Sequence, residues 1–159
     1  MNSNFIPMEL NILDKKCLLI GRYDDLKGVV FFLDSFQCSG TVIDDQAPWN
    51  SKLPEGFSIE RRKFHPDDIL GRSLIFLALE DKALVKQIID LARSSGALVS
   101  IPNHPEQSDF QLPVLFKNDE LHVTVNYYGN KQKSANLRDH IRELYENGKV
   151  VEFEPPAEH

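Results

Sequence analysis

The chain has 159 residues, 42% of them apolar, and a formal net charge of −6 at pH 7. That length and composition predict one folded domain with a small appendage and exclude a disordered chain. The acidic balance excludes nucleic acid and anionic membranes as main partners, since both demand concentrated positive charge. Cys17 and Cys38 are too few for a disulfide framework, and each lies in or beside an apolar segment, so both read as buried free thiols. No run approaches ~20 apolar residues and no charged leader precedes an apolar core. The expected setting is a soluble, cytoplasmic protein.

Residues 1–13 carry Phe5, Ile6, Met8, Leu10, Ile12 and Leu13 and read as a lead-in packed on a sheet. Residues 17–20 form an unbroken apolar run, as a parallel strand buried on both faces requires. The run ends at Gly21 and leads through Arg22-Tyr23-Asp24-Asp25-Leu26 into a segment of helical length. Strand, turn and helix in that order open a dinucleotide-binding βαβ unit. Of the G-x-G-x-x-G/A fingerprint only Gly21 is present; Tyr23 and Leu26 stand at the other two positions. A side chain at position 23 is expected to obstruct close approach of backbone to a pyrophosphate, and Leu26 to push the helix from the sheet. Asp24 or Asp25 is expected to N-cap the helix, whose Leu26, Val29, Val30 and Leu33 share one face.

Residues 40–44 predict the second strand. Asp44 and Asp45 at its end, about twenty residues beyond Gly21, suit the ribose hydroxyls of a dinucleotide; they equally suit an exposed strand end. Residues 46–56 hold Pro48, Asn50, Ser51, Pro54 and Gly56 and read as a loop. Residues 57–64 predict an edge strand containing the basic run Arg61-Arg62-Lys63. A helical turn is expected at 66–70, a buried strand at 74–79, and a helix over 81–95 closed by Gly96. The next strand, 97–101, delivers Pro102-Asn103-His104-Pro105 to the carboxyl end of the sheet, where open α/β folds place ligands. Strands at 112–117 and 121–127 around Asn118-Asp119 and a helix over 132–147 follow. Alternating β and α predicts a parallel sheet with helices on both faces, then a small separate module. His104 is either a solvated loop residue or a proton-transfer group. His65, His122 and His140 read as surface residues, and no histidine pair has metal-ligand spacing, so no metal site is expected. Lys131, Lys133, Arg138 and Arg142 form either a hydrated helix face or an anion pocket.

Several segments match a known pattern in order and spacing. They are Phe5-Ile6-Pro7, then Asp14-Lys15-Lys16-Cys17-Leu18-Leu19-Ile20-Gly21, then the aromatic and Asp-rich stretch from Phe64 to Leu70. Leu77-Ala78-Leu79-Glu80-Asp81, the residues from Ala97 to Pro105, and Ser108-Asp109-Phe110-Gln111-Leu112-Pro113 continue it. Together they resemble the precorrin-2 dehydrogenase family, the N-terminal part of siroheme synthase, over nearly all of residues 3–146. The resemblance implies a Rossmann-like domain at 1–113 followed by a small α+β dimerisation module at 114–148; residues 149–159, with Pro155-Pro156, read as a flexible tail. It implies a homodimer that oxidises the tetrapyrrole precorrin-2 to sirohydrochlorin with NAD, some members also inserting ferrous iron. Carried over by position, the cofactor contacts are Gly21, Asp24 and Asp25 at the turn and Asp45 and Gln46 after the second strand. The family's catalytic aspartate falls on Asn103, beside His104. Asp25 adds negative charge where two phosphates belong, and Arg22 offsets it in part. Leu79 replaces a threonine, and Tyr128-Gly129-Asn130-Lys131-Gln132 replaces a Gly-Gly-x-Ser-Pro stretch. Two functions are therefore expected as alternatives: a divergent NAD-dependent precorrin-2 dehydrogenase, or a tetrapyrrole-binding or regulatory member without turnover.

Overall fold

A computed structural model describes residues 5–127 and 130–149. The predicted tail beyond Lys149 and the Tyr128-Gly129 pair lie outside the described residues. The chain divides into two compact units, one spanning Pro7–Gln111 and one built from Leu112 onward together with Phe5 and Ile6.

The larger unit is a five-stranded parallel sheet in the order β3-β2-β1-β4-β5. Its strands are β1 (Lys16–Gly21), β2 (Ser39–Ile43), β3 (Phe57–Glu60), β4 (Leu74–Ala78) and β5 (Leu98–Ser100). Helix α1 (Tyr23–Asp34) joins β1 to β2 and α2 (Lys82–Ser94) joins β4 to β5. β1 lies at the centre, paired in register with β2 from Lys16↔Ser39 to Ile20↔Ile43 and with β4 from Cys17↔Leu74 to Gly21↔Ala78. This explains the unbroken apolar run: Cys17, Leu18, Leu19 and Ile20 are all buried. The core on one face gathers Leu18, Ile20, Ile75, Leu77, Val99 and the α2 stripe of Val85, Ile88, Ile89 and Ala92. Asp81 caps α2, accepting from the amides of Ala83 (2.9 Å) and Leu84 (3.1 Å).

Several local expectations need correction, the first being that the lead-in packs on the sheet: Ile6, Met8, Leu10 and Leu13 are exposed. The third strand stops at Glu60 rather than continuing to Phe64, because Arg62 turns the chain. Its amide donates to the Glu60 carbonyl, and its guanidinium pairs with Asp68 through two bonds (2.9 and 2.6 Å) while also touching Glu60. Asp24 and Asp25 do not cap α1. The N-cap position is Arg22, whose side chain makes no capping bond, and both aspartates lie in the first turn. The basic run is dispersed as well, with Arg61 and Arg62 engaged locally and Lys63 exposed.

The free edge of β5 is closed by the chain that follows it. Asp109 donates its amide to the Val99 carbonyl and accepts from the Val99 amide, while Ser108 Oγ accepts from the Ile101 amide. Arg93 of α2 holds the Asp109 carboxylate at 2.8 Å. An edge satisfied in this way offers no template to another strand.

The smaller unit pairs β6 (Val114–Lys117) antiparallel with β7 (His122–Val125) and packs α3 (Lys131–Glu146) on them. Asn118 organises the hairpin turn, accepting from the amides of Glu120 and Leu121. Arg142 lies over the Phe116 ring at 5.5 Å, and Tyr145 meets the same ring edge-on.

Candidate functional site

The site is built at the carboxyl ends of the parallel strands, where the strand order reverses between β1 and β4. Gly21 ends β1 with φ +129°, and a Cβ there would stand 2.0 Å from the Ala78 carbonyl oxygen of β4. The sheet itself therefore requires glycine at this position, whatever ligand lies above it. Beyond it α1 begins, and its first amide, that of Tyr23, donates to Asp44 Oδ2 at 2.8 Å. Asp44 Oδ1 accepts from the Gln46 amide at 3.0 Å. The Asp44 carboxylate is buried. It thus brackets the turn after β1 to the turn after β2 and supplies the anion that a helix N-terminus favours.

Tyr23 does not project from the turn. Its ring is buried and its hydroxyl donates to the Lys52 carbonyl in the loop after β2. Leu26 is fully buried, so the interior beneath α1 holds a leucine where the fingerprint has a small residue. Arg22 pairs with Asp25 at 3.8 Å and Lys27 with Asp24 at 3.6 Å, all on exposed side chains. Asp45 and Gln46 are exposed at the mouth. The structure thus brings together Gly21, Arg22, Asp24, Asp25, Asp44, Asp45 and Gln46 around one helix end.

Asn103 and His104 lie elsewhere on the same edge, past the end of β5 and two strand positions from β1. Both are exposed. The short 3-10 turn Pro105–Gln107 brings Glu106 Oε1 to 3.2 Å from His104 Nδ1. Glu106 is held below the ordinary carboxylate range by its own backbone amide first, then by Gln107 and His104. Of the two neutral tautomers of His104, the one with its proton on Nδ1 donates to Glu106 and leaves Nε2 as the acceptor nitrogen. Glu106 went unnoticed in the sequence; the signal available was an acid two residues from a histidine across a proline.

Sequence reasoning also passes over Trp49. It is 88% exposed on the loop after Asp44-Asp45-Gln46, and the Arg61 guanidinium lies 4.6 Å from its ring. Arg61 is itself pinned, donating to the carbonyls of Ala47 (3.2 Å) and Pro48 (2.9 Å). An indole facing solvent and backed by a held guanidinium is a platform for a planar ring. Among the described residues no group of three or more His, Cys, Asp and Glu side chains gathers as metal ligands, and no helix is long and apolar enough to cross a membrane.

Comparison with known proteins bears on the family and the fold. A family model described as "Putative NAD(P)-binding" matches residues 8–114. The siroheme synthase of Nitrosomonas eutropha is 25% identical over 138 residues, and so is that of Nitrosococcus oceani; each alignment covers 84% of this chain and 29% of the relative. The chain therefore spans about three-tenths of the length of these relatives. Among solved structures, SirC, a precorrin-2 dehydrogenase, superposes with a TM-score of 0.65 at 18% identity, covering 91% of this chain and 70% of that one.

Proposed function

The chain belongs to the NAD(P)-binding family whose model it matches, and on that premise we propose that it is a divergent precorrin-2 dehydrogenase of siroheme formation. The observation that carries the reading is the bracketed turn at the strand-order reversal, with Gly21, the α1 N-terminus and Asp44 converging there. The residues present fit a dinucleotide on its adenosine side. Each Asp44 oxygen already accepts one amide, and its further lone pair remains for a ribose hydroxyl. Asp45 and Gln46 stand at the same mouth, and Trp49 backed by Arg61 offers the adenine a stacking face. NAD, when bound, supplies the hydride acceptor. On the β5 side, Asn103 orients the tetrapyrrole through its amide, and His104, oriented by Glu106, takes the proton at Nε2.

Lys131, Lys133, Arg138 and Arg142 give α3 of the smaller unit basic groups of the kind tetrapyrrole carboxylates call for, with Arg138 and Arg142 paired in part to Asp139. α3 buries little: Ser134 is its buried residue and Leu137 is 41% exposed. So short a unit gains stability by pairing, and a homodimer through α3 follows from that.

Calorimetric titration with NAD, followed by addition of precorrin-2 under a sirohydrochlorin absorbance readout, tests the proposal. Binding followed by turnover supports it; absence of heat at millimolar NAD rejects it. A second reading, a tetrapyrrole-binding or regulatory member without turnover, is favoured by one observation. The first amide of α1 is already taken by Asp44, with Asp24 and Asp25 adding charge in the same turn. Tetrapyrrole binding without NAD binding marks that case.

A further inference from the structure

The opposite, amino-terminal end of the sheet carries a pair of side chains that the dinucleotide site does not use. Cys17 is the second residue of β1, and Cys38 immediately precedes β2. Their Sγ atoms lie 3.2 Å apart, about 1.2 Å beyond the ~2.05 Å of a disulfide bond. Cys17 is fully buried and Cys38 is 4% exposed. Gly40, the register partner of Cys17, helps to bring them together. A Cβ on Gly40 would sit 2.8 Å from the Phe57 ring and 3.1 Å from Cys17 Cβ, so a side chain there would crowd Cys17. A cavity of about 390 Å³ opens at this end, lined by Lys16, Ser39, Gly40, Thr41 and Arg72 among others. Lys16 and Ser39 are the direct chain neighbours of the two cysteines. Arg72 donates to the Cys17 carbonyl at 3.4 Å. The cysteines do not line this cavity themselves; their chain neighbours Lys16 and Ser39 do, and Lys16 and Arg72 give its wall two cationic groups.

We propose that Cys17 and Cys38 form a redox-active dithiol that a hydroperoxide converts to an intramolecular disulfide, stapling the β1-α1-β2 segment. Cys38 is the less buried of the two and reacts first, while burial, and then the hydrogen bond to Cys38, push the Cys17 thiol up. The Cys38 sulfur, after losing its proton, attacks one peroxide oxygen. The O–O bond breaks, hydroxide leaves and takes a proton to become water, and Cys38 is oxidised to a sulfenic acid. Cys17 sulfur then attacks Cys38 sulfur and displaces the hydroxyl, which leaves with the Cys17 proton as a second water. Two thiols are oxidised by two electrons and one peroxide is reduced to two waters. The closed loop runs from Cys17 to Cys38 and contains α1 whole, while the bond itself forms at the far end from Gly21 and Asp44.

The test uses the full chain and hydrogen peroxide, with no nucleotide present. Treated protein is denatured, alkylated with iodoacetamide and weighed intact. The expected result is a mass lower by two hydrogens, loss of both alkylation sites, recovery of both with dithiothreitol, and a midpoint of thermal unfolding raised by roughly 5–15 °C. A Cys38→Ala variant is expected to leave Cys17 unmodified under the same treatment. Retention of both alkylation sites overturns the proposal. So does a product that is a disulfide-linked dimer or a chain carrying only added oxygens.

Discussion

Replacing Gly21 by alanine separates two reasons for a glycine at the end of β1. If the residue served only to admit a phosphate, Gly21→Ala would abolish dinucleotide binding and leave the empty protein as stable as before. The geometry predicts otherwise. The added Cβ falls 2.0 Å from the Ala78 oxygen and 2.6 Å from its carbonyl carbon. Real contacts of this kind stay beyond 3.0 Å, so the end of β4 must retreat by about 1 Å and the Gly21↔Ala78 pairing is disturbed. Backbone strain at φ +129° adds about 1–3 kcal/mol, and overpacking against a rigid carbonyl about 1–3 kcal/mol more. The expected loss is about 4 kcal/mol, the sum of the two mid-range values. Gly96, just past α2, supplies the control. Its φ is +79° but an added Cβ meets nothing within 4 Å, so Gly96→Ala carries strain alone, about 1–2 kcal/mol. Urea unfolding of both variants without nucleotide, followed by far-ultraviolet circular dichroism, measures the difference. A Gly21→Ala protein within ~1 kcal/mol of the Gly96→Ala protein refutes the sheet-packing argument.

Trp49→Ala is expected to weaken NAD binding by about 5- to 100-fold, as loss of a base-stacking face implies. Trp49 is the single tryptophan of the chain, so its fluorescence should also be quenched as wild-type protein is titrated with NAD; unchanged fluorescence on a binding isotherm seen by calorimetry removes it from the site. His104→Gln, on an exposed turn, should lower kcat by ~10²–10⁴ with urea unfolding unchanged. Arg62→Met should cost about 1 kcal/mol, modest because the guanidinium is partly solvent-screened. The Arg62 guanidinium is the main cause that holds Asp68 below its ordinary value of 3.8. The stabilisation is therefore fully present above about pH 4 and is lost as pH falls through the lower folded value. Wild type and Arg62→Met should accordingly converge in stability toward strongly acid pH.

Much of the fold is legible in the sequence because burial on both faces leaves a plain mark. Residues 17–20 and 74–77 are continuous apolar runs, and the Val85-Ile88-Ile89-Ala92 stripe has helical period. The third strand reads too long because the alternation of residues 57–64 says nothing of Arg62, whose ion pairs with Asp68 and Glu60 turn the chain. The site is legible in its positions and not in its connections. Asp24 and Asp25 look like caps because they precede an apolar segment, whereas the carboxylate that meets the first amide comes from Asp44, twenty-one residues away. Tyr23 looks like an obstruction because sequence carries no sign of the Lys52 carbonyl that anchors its hydroxyl. Trp49 and Glu106 escape notice because each acquires meaning from a neighbour: Arg61 behind the indole, and His104 across Pro105.

The Asp44 bracket also decides what kind of ligand loses most at this turn. A helix N-terminus attracts an anion through its unpaired amides and its dipole together. Here the Tyr23 amide already has a carboxylate at 2.8 Å, and Asp24 and Asp25 lie within the first turn, with Arg22 and Lys27 answering them only at the exposed rim. A pyrophosphate must therefore approach against the Asp44 carboxylate, which two amides hold in place, and past two exposed carboxylates in the first turn. A ribose hydroxyl meets the same carboxylate as a hydrogen-bond acceptor and gains from it. In the proposed site the two halves of a dinucleotide would feel opposite effects from one residue. Asp44→Asn should loosen the turn, since the amide nitrogen would face a backbone N–H, and should weaken adenosine binding. The same change should make the affinity for inorganic pyrophosphate rise relative to that for adenosine. If both ligands weaken equally in a competition titration, Asp44 acts only by holding the loop, and the electrostatic account of the turn fails.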